Sequence, residues 1–416
     1  MSARGLKLPP MNAPDQSVRL TRLCILAALL VGAAIPLRAA GVAAQQGALA
    51  LGLLLALIVL SRDGAARANL KAAILSLPGR FAMAVFIAFA ATVPFSHEPL
   101  GSLKIGGRTG LFLLAAMVLW ALLKTRTETH RPLFKALIVT SFTFAIIALI
   151  SLSGVNRIVW LFRGDVAQFI TPGLGYANPT TLFKAFAATS MCLIPTLAWA
   201  GRRLEGHWRW WGYAFAPLAL GIIVLTYNRS ALAGFIAMAV AGIVLLALAK
   251  RRHARALLAT VLAGASGTIA WVALKEIRLR DALEQSTGQT IHVDAYLPYW
   301  LLDAHRQNIW KFAFQRFLDH PLFGNGIDQL NRLPGAHNAV PGLESYAAVI
   351  PSHPHNWALE ILAETGMLGF TAVVIALGFV AWRLAKQYLK TDDAASLALF
   401  TLMAGFWASA LFNFSR

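Results

Sequence analysis

The chain has 416 residues; 58% are hydrophobic, 13% are charged, and the formal net charge is +19. A soluble domain carries about 25% charged residues, so this composition excludes an ordinary soluble protein and points to a chain embedded in lipid. The basic excess would suit a nucleic-acid binder, but the cations fall where a membrane topology puts them.

Crossing a bilayer as a helix takes about 20 mostly apolar residues. In chain order the predicted spans are 20–37, 41–60, 80–96, 109–124, 136–154, 180–200, 211–227, 230–249, 256–275, 357–382 and 395–413. They predict an all-α, polytopic bundle of about eleven spans, forming one transmembrane domain over residues 1–416. The first run follows Arg19 and Arg22 without a small-residue cleavage site, so it is expected to stay as a span and not be removed as a signal peptide. Cys24 and Cys192 fall inside spans and read as small core residues, which leaves redox and zinc-thiolate chemistry without support.

The connectors 4–22, 62–80, 124–135, 202–209, 250–255 and 383–390 hold more than half of the 37 Lys and Arg residues. By the positive-inside rule they face the cytoplasm. The alternate short loops hold far fewer, namely Arg38, Lys104, Arg108, Arg157, Arg163 and Arg229, and these face outward. An odd span count leaves the C-terminus outside, and a further helix beyond it is expected.

Residues 275–355 interrupt the pattern with a long segment lacking any span. Charge alternation puts this loop on the outer, periplasmic side. It holds most of the histidines: His292, His305, His320, His337, His353 and His355. Within it, "HRQNIWKFAFQRFL" (305–318) aligns Ile309, Phe312 and Phe317 as one apolar helical face, and "DHPLFGNGIDQL" ends that helix at Pro321 and turns on Gly324 and Gly326. Such an amphipathic helix is expected to lie along the membrane surface and roof the bundle. A second outer loop, 156–180, is aromatic and also longer than a connector needs.

Two stretches carry residues that suit chemistry. Arg229, in "LTYNRSALAGF", lies between two apolar runs at the outer surface, where an arginine must be paired, hydrated or used. It could snorkel to headgroups, or its planar guanidinium could hold two phosphate oxygens. Arg163 and Arg306 add cations on the same side. In "SHPHNWALEILAETG" (352–366), His353 and His355 flank Pro354 and Asn356 is placed to cap the helix starting at Trp357. Glu360 and Glu364 share a face one turn apart, and Gly366 and Gly369 permit close packing or a kink. A histidine here could sit passively at the headgroup boundary, or take a proton from an attacking hydroxyl with a carboxylate in support. A zinc site lacks a third ligand at the usual helix spacing. No Gly-rich nucleotide loop or Gly-x-Ser-x-Gly elbow occurs.

Taken together, "TYNRSALAG" (226–234), "HRQNIWKFAFQRFLDHPLFGNGI" (305–327) and "HPHNWALEILAETGMLGF" (353–370), in this order, resemble the O-antigen ligase and O-antigen polymerase superfamily. The resemblance covers mainly 175–375. It implies a bacterial inner-membrane, lipid-carrier-dependent (GT-C-like) glycosyltransferase bundle, usually of about twelve spans, with a large periplasmic loop. It further implies a donor glycan on undecaprenyl diphosphate and transfer on the periplasmic face with no cofactor or required metal. The family's arginine falls on Arg229, its His-Asn histidine on His355 and its loop-helix arginine on Arg306; His353, Glu364 and Arg163 match less strictly.

The expected activity is therefore that of an O-antigen ligase, joining the polysaccharide to a hydroxyl of the lipid A–core oligosaccharide. Arg229, Arg306 and Arg163 would bind the diphosphate, His355 would act with Arg229 in catalysis, and His353, Asn356 and Glu364 would support. An O-antigen polymerase or a pilin oligosaccharyltransferase would use the same donor with another acceptor. A transporter is a reading of a different class, but no inverted repeat or pair of interrupted helices supports it.

Overall fold

The computed structural model describes residues 13–37, 42–152, 179–226, 228–249, 264, 304–336 and 354–411. Among these the regular structure is helical throughout. In chain order the α-helices are α1 (Ala13–Ala34), α2 (Val42–Arg62), α3 (Gly64–Leu75), α4 (Leu77–Thr92), α5 (Pro99–Thr125), α6 (His130–Leu152), α7 (Pro179–Leu204), α8 (Trp208–Leu225), α9 (Arg229–Ala249), α10 (Ala304–Asp319), α11 (Trp357–Thr391) and α12 (Ala394–Ala410).

Six described segments are long and apolar enough to cross a membrane: Ala43–Arg62, Leu77–Phe95, Thr127–Leu152, Trp208–Leu225, Ser230–Ala249 and Trp357–Thr391. The chain is an all-α, multi-pass membrane protein. The predicted span 256–275 lies outside the described residues except for Gly264, as do most of loop 156–180 and 275–303 and 337–353 of the large loop.

Two predicted boundaries move, each for a local reason. Residues 62–80, expected as a plain basic connector, contain α3. Asp63 starts that helix by accepting from the amides of Ala65 and Ala66. Helix α5 begins at Pro99, well before the expected 109, because proline needs no amide partner in a first turn.

Helices α6, α7, α8 and α9 share the largest apolar core, built around Ile138, Phe142, Phe186, Leu197, Phe215, Leu220 and Ile223. Helix α12 closes against α7, α9 and α11. It crosses α9 at two small residues: a Cβ on Gly234 would overlap the Gly405 carbonyl and the Ser409 side chain, so the backbones touch. Gly234 meets Ser409 while Met238 meets Gly405, which makes α9 and α12 antiparallel.

Alternating directions give the bundle two distinct ends. One end gathers Arg62, Lys124, Arg202, Arg203 and Lys390 in last helical turns. Two capping carboxylates tie it together. Asp63 accepts from Arg126 at 2.9 Å, and Asp393 caps α12 near Arg203. Burial opposes ionisation of Asp63, but the Arg126 hydrogen bond and the Ala66 and Ala65 amides outweigh it, so its carboxyl lies below the ordinary value. Asp393 is lowered too: burial is outweighed by the Ser396 hydroxyl, the Ala395 and Ser396 amides and Arg203. The other end carries the residues that suit chemistry.

Candidate functional site

The end opposite the basic cluster is organised by a break in α11. Gly366 leaves the helix with φ 61 and ψ −164, a conformation open to glycine and costly for any other residue. The break frees carbonyls and amides on both sides of it. The turn after α10 satisfies them: Asn325 and Gly326 amides donate to the Ala363 and Glu364 carbonyls at 2.9 Å, and Met367 and Leu368 amides donate to the Pro321 and Leu322 carbonyls. The 321–328 turn is thereby laced into α11, with backbone so close that a Cβ on Gly366 would collide with Leu322 and Phe323. A Cβ on Gly324 would likewise meet Glu364 and Thr365.

Asn325 is the hub of this lacing. It is buried, and its side-chain amide donates to the Arg316 carbonyl at 2.8 Å and the Ala363 carbonyl at 3.0 Å. Its own carbonyl accepts from the His97 amide, just ahead of α5. A single asparagine thus joins α5, α10 and α11. Glu364 braces the same turn. Its Oε1 accepts from the Asp328 amide at 2.8 Å, and the side chain is almost fully buried. Arg332 pairs with Glu98, a second link from this loop to the start of α5.

The packed face of α10 fixes that helix on α11. Ile309 and Ala313 are buried against Leu330, Leu333 and Ala363, with Phe312 and Leu359 alongside. Of the apolar face read from the sequence, Ile309 and Phe312 are therefore covered by protein, because the laced turn pulls α10 onto α11.

His355 stands at the entry to α11, half-buried, with φ 55. A left-handed conformation is uncommon and strained in histidine. The neighbours on both sides hold it there. Upstream, the Trp310 indole of α10 donates to the Pro354 carbonyl at 2.9 Å. Downstream, Asn356 caps α11, its Oδ1 accepting from the Ala358 amide at 3.0 Å and the Leu359 amide at 3.2 Å. Glu360 lies one turn into the helix and is buried like Glu364.

Arg229 is the first residue of α9. The turn before it is built by Asn228, buried at the α8–α9 junction, whose Oδ1 accepts from the Ser230 hydroxyl at 2.7 Å and the Ala231 amide at 3.0 Å. The start of α9 is therefore capped by an asparagine, as is the start of α11. Both starts lie beside the C-terminal end of α12: Gly234 touches Ser409, and Trp357 packs edge-on against Trp407 with ring centroids 4.8 Å apart. Arg229 and His355 thus open neighbouring helices at one end of the bundle. Arg306 sits in the first turn of α10. Arg163 and His353 lie outside the described residues.

Residues 214–374 match a family model described as O-antigen ligase. Over these residues the chain is similar to the O-antigen ligase family. The matched segment begins within α8 and ends within α11, so it takes in the Arg229 turn, Arg306 on α10, the Asn325 lacing, His355 and the Gly366 break. That similarity supports a function of the general O-antigen ligase or polymerase type. No curated protein matches the chain.

Two residues that organise this end, Asn228 and Asn325, do not stand out by sequence reasoning. Asn228 precedes Arg229 in "TYNRS", where an asparagine just before a helix signals a cap. Asn325 lies between two glycines, which marks a turn but not the tertiary bonds its amide makes.

Proposed function

We propose that the chain is an O-antigen ligase of the bacterial inner membrane. It transfers polysaccharide from undecaprenyl diphosphate to a hydroxyl of the lipid A–core oligosaccharide, on the periplasmic face. The observation that carries this reading is that the family match includes Arg229, Arg306 and His355, with the helix starts of Arg229 and His355 gathered around one end of α12. The opposite end holds the basic clusters, and by the positive-inside rule that end is cytoplasmic.

The chemistry follows from the residue types. The bond between the anomeric carbon and the diphosphate oxygen breaks, and that oxygen leaves with the electron pair. Arg229, helped by Arg306 and Arg163, holds the diphosphate and offsets its developing charge. The N-terminal ends of α9 and α11 add favourable dipole at the same end. His355 takes the proton of the acceptor hydroxyl as its oxygen bonds the anomeric carbon from the opposite side, which inverts the configuration. None of these steps calls for a metal. Asn356 and Glu364 act through position: one fixes the helix start behind His355, the other braces the laced turn. His353 belongs with them as a neighbour across Pro354.

A lipopolysaccharide gel of a strain lacking the gene tests the reading. Lipid A–core bare of polymer, with polymer accumulating on the carrier lipid, is the expected result. Core carrying a single repeat unit would identify a polymerase instead, and unchanged polymer on core would exclude both. Transfer by the purified protein from a diphosphate-linked glycan to lipid A–core, in detergent, would separate an enzyme from a transporter.

A further inference from the structure

Helix α10 has three sides where an amphipathic helix has two. At about 100° per residue, its described positions sort into three sectors. Ile309, Phe312, Ala313 and Arg316 face α11 and the laced loop, Arg316 lying over the Phe312 ring. Next round the helix come Trp310, Phe314, Phe317 and Leu318, then Lys311, Gln315 and Asp319. The middle sector is apolar yet uncovered: Phe314 is 48% and Leu318 51% exposed. The polar sector beside it is also exposed and suits water.

The uncovered apolar sector does not stop at the end of the helix. It runs on to Leu322, 64% exposed, whose carbonyl accepts from the Leu368 amide. Leu368 and its neighbour Met367 are themselves exposed on α11, within the segment Trp357–Thr391 that is apolar enough to cross the membrane. Phe95, stacked on Phe323 at 4.1 Å, and Leu100 at the start of α5 are exposed nearby in the fold. Phe314, Leu318 and Leu322 are thus continuous with a surface that must meet hydrocarbon.

We infer that the Phe314–Leu318–Leu322 flank is immersed in the acyl region of the leaflet at this end of the bundle, while Lys311, Gln315 and Asp319 face water. The occupant is bilayer lipid, because Leu322 ties the flank to the exposed apolar side of α11 and the flank borders a polar sector along its length. Trp310 lies on this same flank and holds the Pro354 carbonyl, so the immersed helix and the His355 turn form one piece. The inference concerns how the helix sits in lipid and stands whether or not glycan transfer is the activity.

The test places a benzophenone amino acid singly at 314, 318 and 322, and at 311 and 315, in the otherwise native full-length chain reconstituted in phospholipid vesicles. After irradiation, mass spectrometry counts adducts to phospholipid acyl chains. The expected result is at least a severalfold excess of lipid adducts at 314, 318 and 322 over 311 and 315. Covalent dimers at the apolar positions would show that a second copy covers the flank. Equal, low lipid adducts at all five positions would show that water does. Either result overturns the inference.

Discussion

The Trp310 indole donates to the Pro354 carbonyl at 2.9 Å, so α10 holds the residue immediately before His355. A hydrogen bond of this kind contributes about 1 kcal/mol net. Trp310→Phe keeps the apolar ring and removes only the donor. The variant is expected to insert and to lose only about 1 kcal/mol of stability, while glycan transfer falls about 3–10-fold, since 1.36 kcal/mol corresponds to a tenfold change. Transfer rates of purified protein check this; an unchanged rate would mean that Trp310 does not position the turn.

Gly366 makes the break to which the 321–328 turn is laced. Gly366→Ala would combine strained backbone with a collision against Leu322 and Phe323. The expected cost is at least about 2 kcal/mol, read as a lower melting temperature in detergent. Faster proteolysis in the 320–336 segment is expected with it. Gly378, on the same helix, is the control, because nothing lies within 4 Å of the point its Cβ would occupy. Gly378→Ala is expected to leave stability unchanged or raised by up to about 1 kcal/mol.

Much of this was readable in the sequence, for physical reasons that differ by element. Spans such as 41–60 and 230–249 were legible because hydrocarbon demands a long apolar run. The Asn356 cap was legible because it acts within one turn of chain. The face of α10 was not, because periodicity shows that Ile309 and Phe312 are apolar but not whether protein or lipid covers them. The Asn325 hub was invisible for a related reason. Its bonds reach Ala363 and His97, far along the chain, and depend on carbonyls freed by a break that Gly366 allowed but did not announce.

Acid is expected to loosen the basic end. Asp63 and Asp393 both have folded-state values below their unfolded ones. Their contribution is therefore full above the unfolded carboxylate value of about 3.9, and it is lost as pH falls through the lower folded values. Asp63→Asn keeps an acceptor for the α3 cap but loses the charge and the ion pair with Arg126. Its melting temperature is expected to lie below the parent's at pH 7, with the gap narrowing below about pH 4. Melting curves in detergent from pH 7 to 3 check the trend; a constant gap would exclude Asp63 as the titrating group.

His355 combines a strained conformation with the proposed chemistry, and substitutions can separate the two. His355→Ala is expected to insert normally and to lower transfer by at least about 10²-fold through loss of the proton acceptor. Arg229→Ala should lose transfer comparably by removing a phosphate clamp. His355→Gly should be as inactive as His355→Ala yet more stable by about 1 kcal/mol, because glycine adopts φ 55 without strain. Melting temperatures and transfer rates measured on the same preparations decide between roles. If the glycine variant retained transfer, His355 would be serving the turn and not the reaction. If the alanine variant matched the glycine variant in stability, the left-handed turn would not persist in the membrane.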